Sequence, residues 1–349
     1  MTQQSPIVIA VTGLNAIDSP GPGVAVIRAI RDGCDRPVRI IGLSYESLEP
    51  GIYMDNICDK VYQVPYPAAG SEVLYNRLVY IHEKEKLDVV IPNFDAELFS
   101  FIKIAPRLKQ LGINSFLPSF EMFDARDKLN LYAFGQKHGL LVPRDRIIYY
   151  PEEINLIGEE FGYPLVVKGK FYDAVVAYTL EQAQKAFYKL SAKWGFPIII
   201  QQFISGTEVN IAALGDGEGN AISIIPMRKL YITDKGKAWA GITIEDENLL
   251  ALAEKFIKAT KWRGGFEVEI MMNSQNELYI MEINPRFPAW IYLSAGAGQN
   301  QPAALIKMAM GEKVEPYKDY DVGKLFIRYS WDLITDVSSF QQISAFGER

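Results

Sequence analysis

The stretch 279-YIMEINPRFPAW-290 places a charged side chain inside a run that otherwise predicts a β-strand. Glu282 lies within the apolar run, which the tripeptide 284-NPR-286 then ends abruptly. Proline cannot continue the hydrogen-bond ladder of a strand, so the strand must stop there. A carboxylate in an apolar strand is costly to bury unless it has a partner. The neighbouring sequence therefore has to supply that partner.

A second predicted strand and a turn precede this stretch: 265-GFEVEIMM-272 and 273-NSQN-276. Side chains alternate between the two faces of a strand, so Glu267 and Glu269 share one face. If Met272 pairs with Glu277 across the hairpin, Glu267 lies opposite Glu282 and Glu269 lies diagonally beside it. Three carboxylates would then crowd one patch, although directly opposed like charges are destabilising.

A hard divalent cation resolves this conflict. Carboxylate and amide oxygens without cysteine or histidine suit Mg²⁺ or Mn²⁺, especially beside substrate phosphates. Asn284 adds a neutral oxygen, and Arg286 supplies a planar donor for a phosphate or an acyl-phosphate. The alternative is a solvated hairpin face whose acids pair with lysines. The Asn-Pro-Arg ending favours the metal–phosphate interpretation.

Size and composition limit the possible classes of function. The chain has 349 residues, 49% of them hydrophobic, which predicts two or three domains, each with a core. The net charge of −6 and the pI of about 5.3 argue against nucleic-acid binding. No run is long enough for a membrane span, and the N-terminus does not resemble a signal peptide. We therefore expect a cytoplasmic protein that binds neither nucleic acid nor membrane.

Cysteine and histidine contribute little to the predicted chemistry. Cys34 and Cys58 lack the spacing of a zinc site or a disulfide framework. His82 and His138 are the two histidines, and neither lies in a recognisable catalytic constellation. Histidine-based catalysis is therefore not expected.

Residues 1–118 predict an α/β domain with a parallel sheet, because apolar strands alternate with helices. The glycine-containing loop 13-GLNAIDSPGPG-23 follows the first strand but lacks the G-x-G-x-x-G spacing. A tight structural turn is favoured there over a phosphate cradle. The predicted strands are 7–12, 38–43, 60–64 and 87–92, and the predicted helices are 24–31, 71–84 and 96–111.

The remainder predicts α+β structure. Residues 119–205 form a small lobe, and its first helix, from 124-DARDK-128 onward, ends at Gly139. Residues 206–330 form a larger lobe that contains the hairpin. Residues 331–349 form a C-terminal tail without a motif.

The hairpin 265–290 resembles the metal-binding hairpin of the ATP-grasp ligases, in the style of the large chain of carbamoyl phosphate synthase. The resemblance implies an ATP-grasp fold with a Rossmann-like, parallel-sheet N-terminal domain. It implies that Glu269 and Glu282 bridge two Mg²⁺ (or Mn²⁺) ions to the ATP phosphates, and that Asn284 completes the ligand set. Arg286 would steady the transferred phosphate or acyl-phosphate. Glu267 is not a usual ligand and is expected to lie behind the ligands.

The stretch 197-PIIIQQFISGTEVN-210 is similar to the hinge at which these ligases hold adenine. The resemblance implies that the backbone there reads the adenine edge and that Glu208 takes the ribose hydroxyls. The family often has glutamate where Gln202 stands, but an amide also accepts from the adenine amino group. An ordinary strand and turn is the alternative. The implied adenine-binding residues are Gln201, Gln202, Phe203 and Ile204.

Several basic residues match phosphate-binding positions of the family. The resemblance implies that Lys168 and Lys128 contact the nucleotide, and we add Lys170 to that set. The turn 226-PMRKLYITDKGKAWAGIT-243 brings further cations together, and a solvated basic turn is the alternative. By resemblance Arg228 faces the β/γ-phosphate and Lys237 faces the phosphate or the incoming acyl group. The basic residues of this turn are Arg228, Lys229, Lys235 and Lys237.

One departure from the family pattern concerns the flap that closes over the phosphates. The family has a glycine- and serine-rich segment there, whereas this chain has 168-KGKFYDAVVAYT-179, shorter and with one glycine. Lys170, Phe171 and Tyr172 replace small residues, so we expect a stiffer, bulkier loop. This puts the closure step in question more than ATP binding.

The resemblance covers nearly the whole chain and implies an ATP- and Mg²⁺-dependent carboxylate–amine (or thiol) ligase that forms ADP. Small-molecule or peptide carboxylates and amines are the expected substrates, and residues 287–302 could line an apolar substrate pocket or pack as an ordinary helix start. One alternative is a non-catalytic or partner-dependent ATP-binding subunit that acts with a peptide-binding protein. Another is a carboxylase-like enzyme that phosphorylates bicarbonate. A homodimer is expected by resemblance alone.

Overall fold

The computed structural model describes residues 5–17, 19–170, 173–233 and 236–349. The chain divides into two compact units. The first unit comprises Met1–Phe123, Asn210–Glu267 and Asn284–Arg349, and the second comprises Asp124–Val209 and Val268–Ile283. This division does not follow the expected borders at residues 118, 205 and 330. Within the described ranges, no helix combines the length and the apolar character needed to cross a membrane.

The N-terminal part of the first unit is a parallel four-stranded sheet in the order β3-β2-β1-β4. Its strands are apolar on both faces and covered by helices, as a parallel sheet requires. Ile7, Ile9 and Val11 enter one core, while Val8 and Ala10 enter the other. The elements are β1 (Ile7–Val11), α1 (Gly23–Gly33), β2 (Val38–Ser44), β3 (Lys60–Gln63), α2 (Ser71–Glu85), β4 (Val89–Ile91) and α3 (Asp95–Gln110), with short 3-10 turns at Pro50–Ile52 and Pro67–Ala69.

The middle of the chain forms an antiparallel sheet in the order β5-β8-β6-β7. Helices cover one apolar face, where Leu165, Phe187 and Ile200 are almost fully buried. Gly139 adopts a positive φ of 63° and ends α5, as predicted. The elements are α4 (Phe120–Ala125), α5 (Leu131–His138), β5 (Asp145–Ile148), α6 (Glu153–Phe161), β6 (Leu165–Gly169), β7 (Ala174–Ala177), α7 (Leu180–Trp194) and β8 (Ile198–Gln202).

The remaining strands form a six-stranded sheet in the order β13-β12-β9-β10-β11-β14. In the first unit, Leu305 and Ile306 share one apolar core with Ile9 and Ile27 of the N-terminal sheet and its first helix. This shared core explains why the N-terminal domain is not separate from the rest of the first unit. The elements are β9 (Thr207–Asp216), β10 (Ala221–Ile232), β11 (Ala238–Thr243), α8 (Glu247–Thr260), β12 (Arg263–Met272), β13 (Leu278–Asn284), α9 (Tyr292–Gly296), α10 (Gln301–Ala309), β14 (Leu325–Ile327) and α11 (Val337–Phe346).

Candidate active-site residues

The hairpin β12–β13 has a different register from the one predicted. The amide of Asn273 donates to the carbonyl of Glu277 at 3.1 Å, and Asn276 donates back to Asn273 at 3.0 Å. The loop is therefore three residues long, with Asn276 at a φ of 60°. The predicted pairing of Met272 with Glu277 is wrong by one residue. Asparagine tolerates this left-handed conformation, which lets the turn close one residue earlier.

Asn284, rather than Glu282, has its side chain beside that of Glu267. Glu267 is only 5% exposed, and its Oε1 accepts from Nδ2 of Asn210 at 2.9 Å and from Nε1 of Trp290 at 2.7 Å. Its Oε2 accepts from Nδ2 of Asn284 at 3.1 Å. The expected crowding of Glu267 against Glu282 is thus replaced by a hydrogen-bonded network. Both carboxylate oxygens of Glu267 therefore have hydrogen-bond donors without a bound metal ion.

Arg286 in the first unit is held between two carboxylates. Its Nε and Nη2 lie 3.0 and 2.9 Å from Oδ2 of Asp95, at the start of α3. Its Nη1 lies 3.9 Å from Oε2 of Glu267, and its Nη2 donates to Oδ1 of Asn284 at 3.3 Å. The guanidinium is therefore pre-oriented beside the predicted ligand Asn284. No sequence pattern predicted a role for Asp95, since an acid in the first turn of a helix is common.

The second unit brings two carboxylates and two lysines into one electrostatic cluster. Nζ of Lys128 lies 3.6 Å from Oε1 of Glu282. Burial lowers the pKa of Lys168 to about 8, and the charge of Lys128 acts in the same direction, whereas Glu282, Glu269 and Asp145 oppose it. Lys128 was predicted to open a helix, but it lies in a turn before α5. The cluster nevertheless joins the predicted residues Lys128, Lys168, Glu269 and Glu282.

The donor set of this cluster fits magnesium shared with phosphates. Glu269 and Glu282 are both partly exposed and offer only oxygen ligands. Among the described residues, no three acids, cysteines or histidines lie close enough to hold a metal ion by themselves. Mg²⁺ is commonly bound through one or two carboxylates, with phosphate oxygens and water completing its shell. Two carboxylates beside two lysines match that pattern better than a closed metal site.

The predicted hinge lies at the end of β8. Gln201 is 4% exposed, and its Oε1 has no hydrogen-bond partner among the described residues. Oε1 of Gln202 accepts from Nε of Arg144 at 3.3 Å, and its backbone amide donates to the carbonyl of Arg144 at 2.8 Å. Phe203 and Ile204 leave the strand, and Glu208 lies on β9, partly buried. A buried acceptor without a partner is expensive, and a contact between Gln201 and the nucleotide stays a prediction.

Asp145 is a neighbour of the hinge that the sequence did not reveal. It pairs with Gln201 across β5 and β8. Burial raises its pKa to about 6, while the charges of Lys168 and Arg146 oppose the shift. A lone aspartate after a proline-containing loop carries no pattern that predicts such burial.

The loop between β6 and β7 is short, as predicted for the flap. Gly169 donates to the carbonyl of Asp173 at 3.2 Å, and Asp173 adopts a φ of 65°. Its carboxylate accepts from Nζ of Lys193 at 2.7 Å and from Nε1 of Trp194 at 2.9 Å. Lys170 directly follows β6, while Phe171 and Tyr172 lie outside the described residues. Asp173, at the C-terminal end of the loop, is therefore anchored to α7.

The basic turn lies at the end of β10 in the first unit. Arg228 is exposed on the strand, opposite Ile242, and Lys237 is exposed just before β11. Nζ of Lys229 donates to the carbonyl of Gly236 at 3.3 Å. Lys235 lies outside the described residues. Arg228 and Lys237 are thus accessible, and their roles stay predictions.

Two other segments have structural roles in the first unit. In the loop 13–23, the amides of Gly21 and Gly23 donate to the carbonyls of Asn15 and Gly13. Residue 18 lies outside the described residues, and the expected tight turn stays a prediction. Phe287 and Trp290 are 2% and 5% exposed and belong to the apolar core. The early part of 287–302 therefore packs as core.

Comparison with known proteins gives this arrangement a family context. Residues 196–326 match the family described as ATP-grasp in the biosynthetic pathway with Ter operon. This part of the chain therefore resembles an ATP-grasp domain. The matched range begins just before the hinge and runs past the hairpin, so it contains Glu269, Glu282 and Asn284.

Curated relatives of this chain are matched over only part of their length. It is 24% identical over 241 residues to the arginine-specific large chain of carbamoyl phosphate synthase from Bacillus subtilis, covering 66% of this chain and 22% of that protein. It is 28% identical over 160 residues to D-alanine–D-alanine ligase from Geobacter sulfurreducens, covering 42% of this chain and 50% of that protein. The chain thus spans between about a fifth and a half of the length of these relatives.

The ATP-grasp fold itself extends over most of the chain. The biotin carboxylase domain of 2-oxoglutarate carboxylase from Hydrogenobacter thermophilus superposes with a TM-score of 0.70 at 17% identity, covering 92% of this chain and 74% of that one. That domain was solved as a dimer with MgADP, ADP and bicarbonate. The predicted ATP-grasp fold with a parallel-sheet N-terminal part is confirmed.

Arg328, in the first unit, is a further arginine that no sequence pattern indicated. Nε of Arg328 donates to the carbonyl of Ala238 at 2.8 Å, just after β14. Burial lowers its pKa to about 10, and the carboxylate of Glu267 opposes that shift. Arg328 lies 42 residues after the Asn-Pro-Arg motif, so no local pattern connects the two.

Proposed function

We propose that the chain is an ADP-forming, ATP- and Mg²⁺-dependent ligase that joins a carboxylate to an amine or a thiol. The observation that carries the proposal is the cluster of Glu269 and Glu282 with Lys128 and Lys168 in the second unit. Carboxylates that hold a cation, beside lysines that neutralise phosphate, are the means by which proteins catalyse phosphoryl transfer. The relatedness to ligases supports the same activity.

Residues of the second unit would bind the nucleotide. Gln201 and Gln202 offer acceptors to the adenine amino group, and the backbone of Phe203 and Ile204 offers further contacts. Glu208 would take the ribose hydroxyls. Lys168, Lys128 and Lys170 would neutralise the phosphates.

Glu269 and Glu282 would hold magnesium or manganese, with Asn284 as a further oxygen ligand and two ions as the expected number. When bound, the metal neutralises charge that develops on the transferred phosphoryl group. The chain's own cations do the rest: Arg286 would orient the acyl-phosphate, while Arg228 and Lys237 would attract the phosphate and the acyl group. The substrate carboxylate takes the γ-phosphoryl group and ADP leaves; the amine then attacks the acyl carbon and releases phosphate. No protein nucleophile takes part.

Two alternatives remain distinct from this proposal. A partner-dependent ATP-binding subunit is favoured by the short flap, which departs from the family pattern. A bicarbonate-phosphorylating enzyme is favoured by the fold similarity to a biotin carboxylase domain. Homodimerisation, a peptide-binding partner and a cytoplasmic location stay predictions.

The test is Mg²⁺-dependent ADP release in the presence of pooled carboxylates and amines, with Glu282→Gln as the inactive variant. Glu277→Gln is the matched control, because Glu277 lies exposed in the turn of the same hairpin. We expect turnover stimulated by both pools together, a loss of at least about 100-fold in Glu282→Gln, and little change in Glu277→Gln. Stimulation by bicarbonate alone would support the carboxylase alternative. Tight ATP binding without turnover would support the subunit, and no ATP binding would refute the proposal.

A further inference from the structure

The carboxylate of Glu267 determines which end of the Asn284 side-chain amide, the oxygen or the nitrogen, faces it. The two ends of an asparagine side chain differ, since the oxygen accepts and the nitrogen donates. A carboxylate presents acceptors only, so Nδ2 of Asn284 faces Oε2 of Glu267, at 3.1 Å. The carbonyl oxygen is thereby turned to the opposite side, where Nη2 of Arg286 donates to it at 3.3 Å. A metal ion binds the oxygen of an amide and not its nitrogen, so this orientation decides whether Asn284 can serve as a ligand.

We propose that Glu267 is a positioning residue that fixes the Asn284 amide in the orientation in which its oxygen, and not its nitrogen, can serve as a metal ligand. This inference rests on the proposed function, since the ligand role of Asn284 is itself part of that proposal. Glu267 does not touch the reacting groups. It acts through Asn284, and to a lesser degree through Arg286, whose Nη1 lies 3.9 Å from its Oε2.

The carboxylate of Glu267 is itself immobilised. Its Oε1 is held by Nδ2 of Asn210 on β9 and by Nε1 of Trp290, so donors from separate segments of the first unit converge on one buried group. Asn210 turns its nitrogen to Glu267 although its own Oδ1 is then left without a partner among the described residues. An unmet buried acceptor is costly. The hydrogen bond from Nδ2 of Asn210 to Glu267 therefore outweighs the cost of leaving Oδ1 of Asn210 without a partner.

The substitution Glu267→Gln tests this role with almost no change of shape. A glutamine offers one acceptor and one donor, so it allows Asn284 to turn its oxygen inward and its nitrogen outward. We expect Mn²⁺ affinity in the presence of a non-hydrolysable ATP analogue to fall by about 10- to 100-fold, the usual effect of losing a residue that orients a metal ligand. Binding of the analogue without metal should not change. Titration calorimetry and the electron paramagnetic resonance of Mn²⁺ measure both quantities without turnover.

A double-mutant cycle separates positioning from a general loss of structure. If Glu267 acts through Asn284, the double variant Glu267→Gln/Asn284→Ala binds Mn²⁺ no more weakly than Asn284→Ala alone. Trp290→Phe removes a different hydrogen bond to Glu267 and should lower thermal stability while leaving Mn²⁺ affinity within about twofold. Additive losses in the double variant, or metal affinity that follows stability in all variants, would overturn the positioning role.

The outcomes for the two proposals differ. If the unmodified chain binds the ATP analogue but its Mn²⁺ affinity is unaffected by Asn284→Ala, the ligand role of Asn284 fails and the positioning role fails with it. If Asn284→Ala weakens Mn²⁺ binding and Glu267→Gln does not, only the positioning role is refuted.

Discussion

Glu97 connects the carboxyl ends of the parallel strands in the first unit. Its carboxylate accepts hydrogen bonds from the hydroxyls of Thr12 and Tyr45 and from the backbone amides of Asn93 and Phe94. It is fully buried, and this burial raises its pKa to about 7 although the hydrogen bonds oppose the shift. A carboxyl group that prefers to be protonated in the folded state makes stability depend on pH.

The sign of that dependence follows from where the proton binds more tightly. The folded state holds the Glu97 proton up to about pH 7, whereas an ordinary glutamate releases it near 4.5. The contribution is therefore complete below about pH 4.5 and is lost as pH rises to about 7. Each unit of pKa shift is worth about 1.4 kcal/mol, so the loss is on the order of 3 kcal/mol.

We predict that Glu97→Gln removes this component of the pH dependence. The free energy of unfolding of the unmodified chain should fall between pH 5 and pH 8 by more than that of the variant. Tryptophan fluorescence during urea unfolding reports mainly on the first unit, which contains every tryptophan except Trp194. Parallel pH profiles for the two proteins would contradict the assignment.

The residues of the hairpin were easier to predict than their partners. Glu269, Glu282 and Asn284 lie within one short stretch, so the sequence alone singled them out as candidates. The partners of Glu267 could not be predicted, because Asn210 precedes it by 57 residues and reaches it only through the packing of the sheet. Contacts between distant segments have no signature in one sequence.

At the scale of elements, the junction between β8 and β9 depends on a close backbone approach. A Cβ added at Gly206 would lie 2.1 Å from the carbonyl oxygen of Met272 in the second unit. The neighbour is backbone and cannot turn away as a side chain could. The predicted adenine hinge is therefore held against the end of β12.

We predict that Gly206→Ala destabilises the second unit by about 1–3 kcal/mol, the usual cost of overpacking a well-packed position. Since the predicted adenine-binding residues immediately precede it, affinity for an ATP analogue should also fall. Gly296→Ala is the matched control, because a Cβ there meets nothing within 4 Å. Hydrogen exchange of β8 and calorimetric ATP binding measure the two effects. If Gly206→Ala changes neither the hydrogen exchange of β8 nor ATP binding, the backbone at this position relaxes freely.

The strands and helices were largely predictable, whereas the turn of the hairpin was not. Apolar runs predicted β1 to β4 because a parallel sheet buries both faces of its strands. Turn length depends on whether one residue adopts a positive φ, and Asn276 does so here. Asparagine allows that conformation without requiring it, so the sequence left two registers open and the predicted one was wrong.

At the scale of the whole molecule, the predicted tail 331–349 proves to be part of the first unit. Ile343 of α11 is fully buried in the core that also contains Ile9. The amide and carbonyl of Arg349 pair with Val61, and the carbonyl of Gly347 accepts from the amide of Gln63. The end of the chain thus pairs with β3, the edge strand of the N-terminal sheet. A sequence without a motif gave no indication of this return.

We predict that removing residues 337–349 destabilises the first unit and exposes β3. Ile343→Ala alone should cost about 2–5 kcal/mol of unfolding free energy, as truncating a buried isoleucine usually does. The deletion should cost at least as much, and the uncovered strand edge should promote concentration-dependent self-association. Ile334→Ala is the control, because Ile334 is 91% exposed and its truncation should change stability by less than about 0.5 kcal/mol. Chemical unfolding and sedimentation velocity measure the two effects, and a monomeric, equally stable deletion variant would show that the first unit does not depend on this pairing.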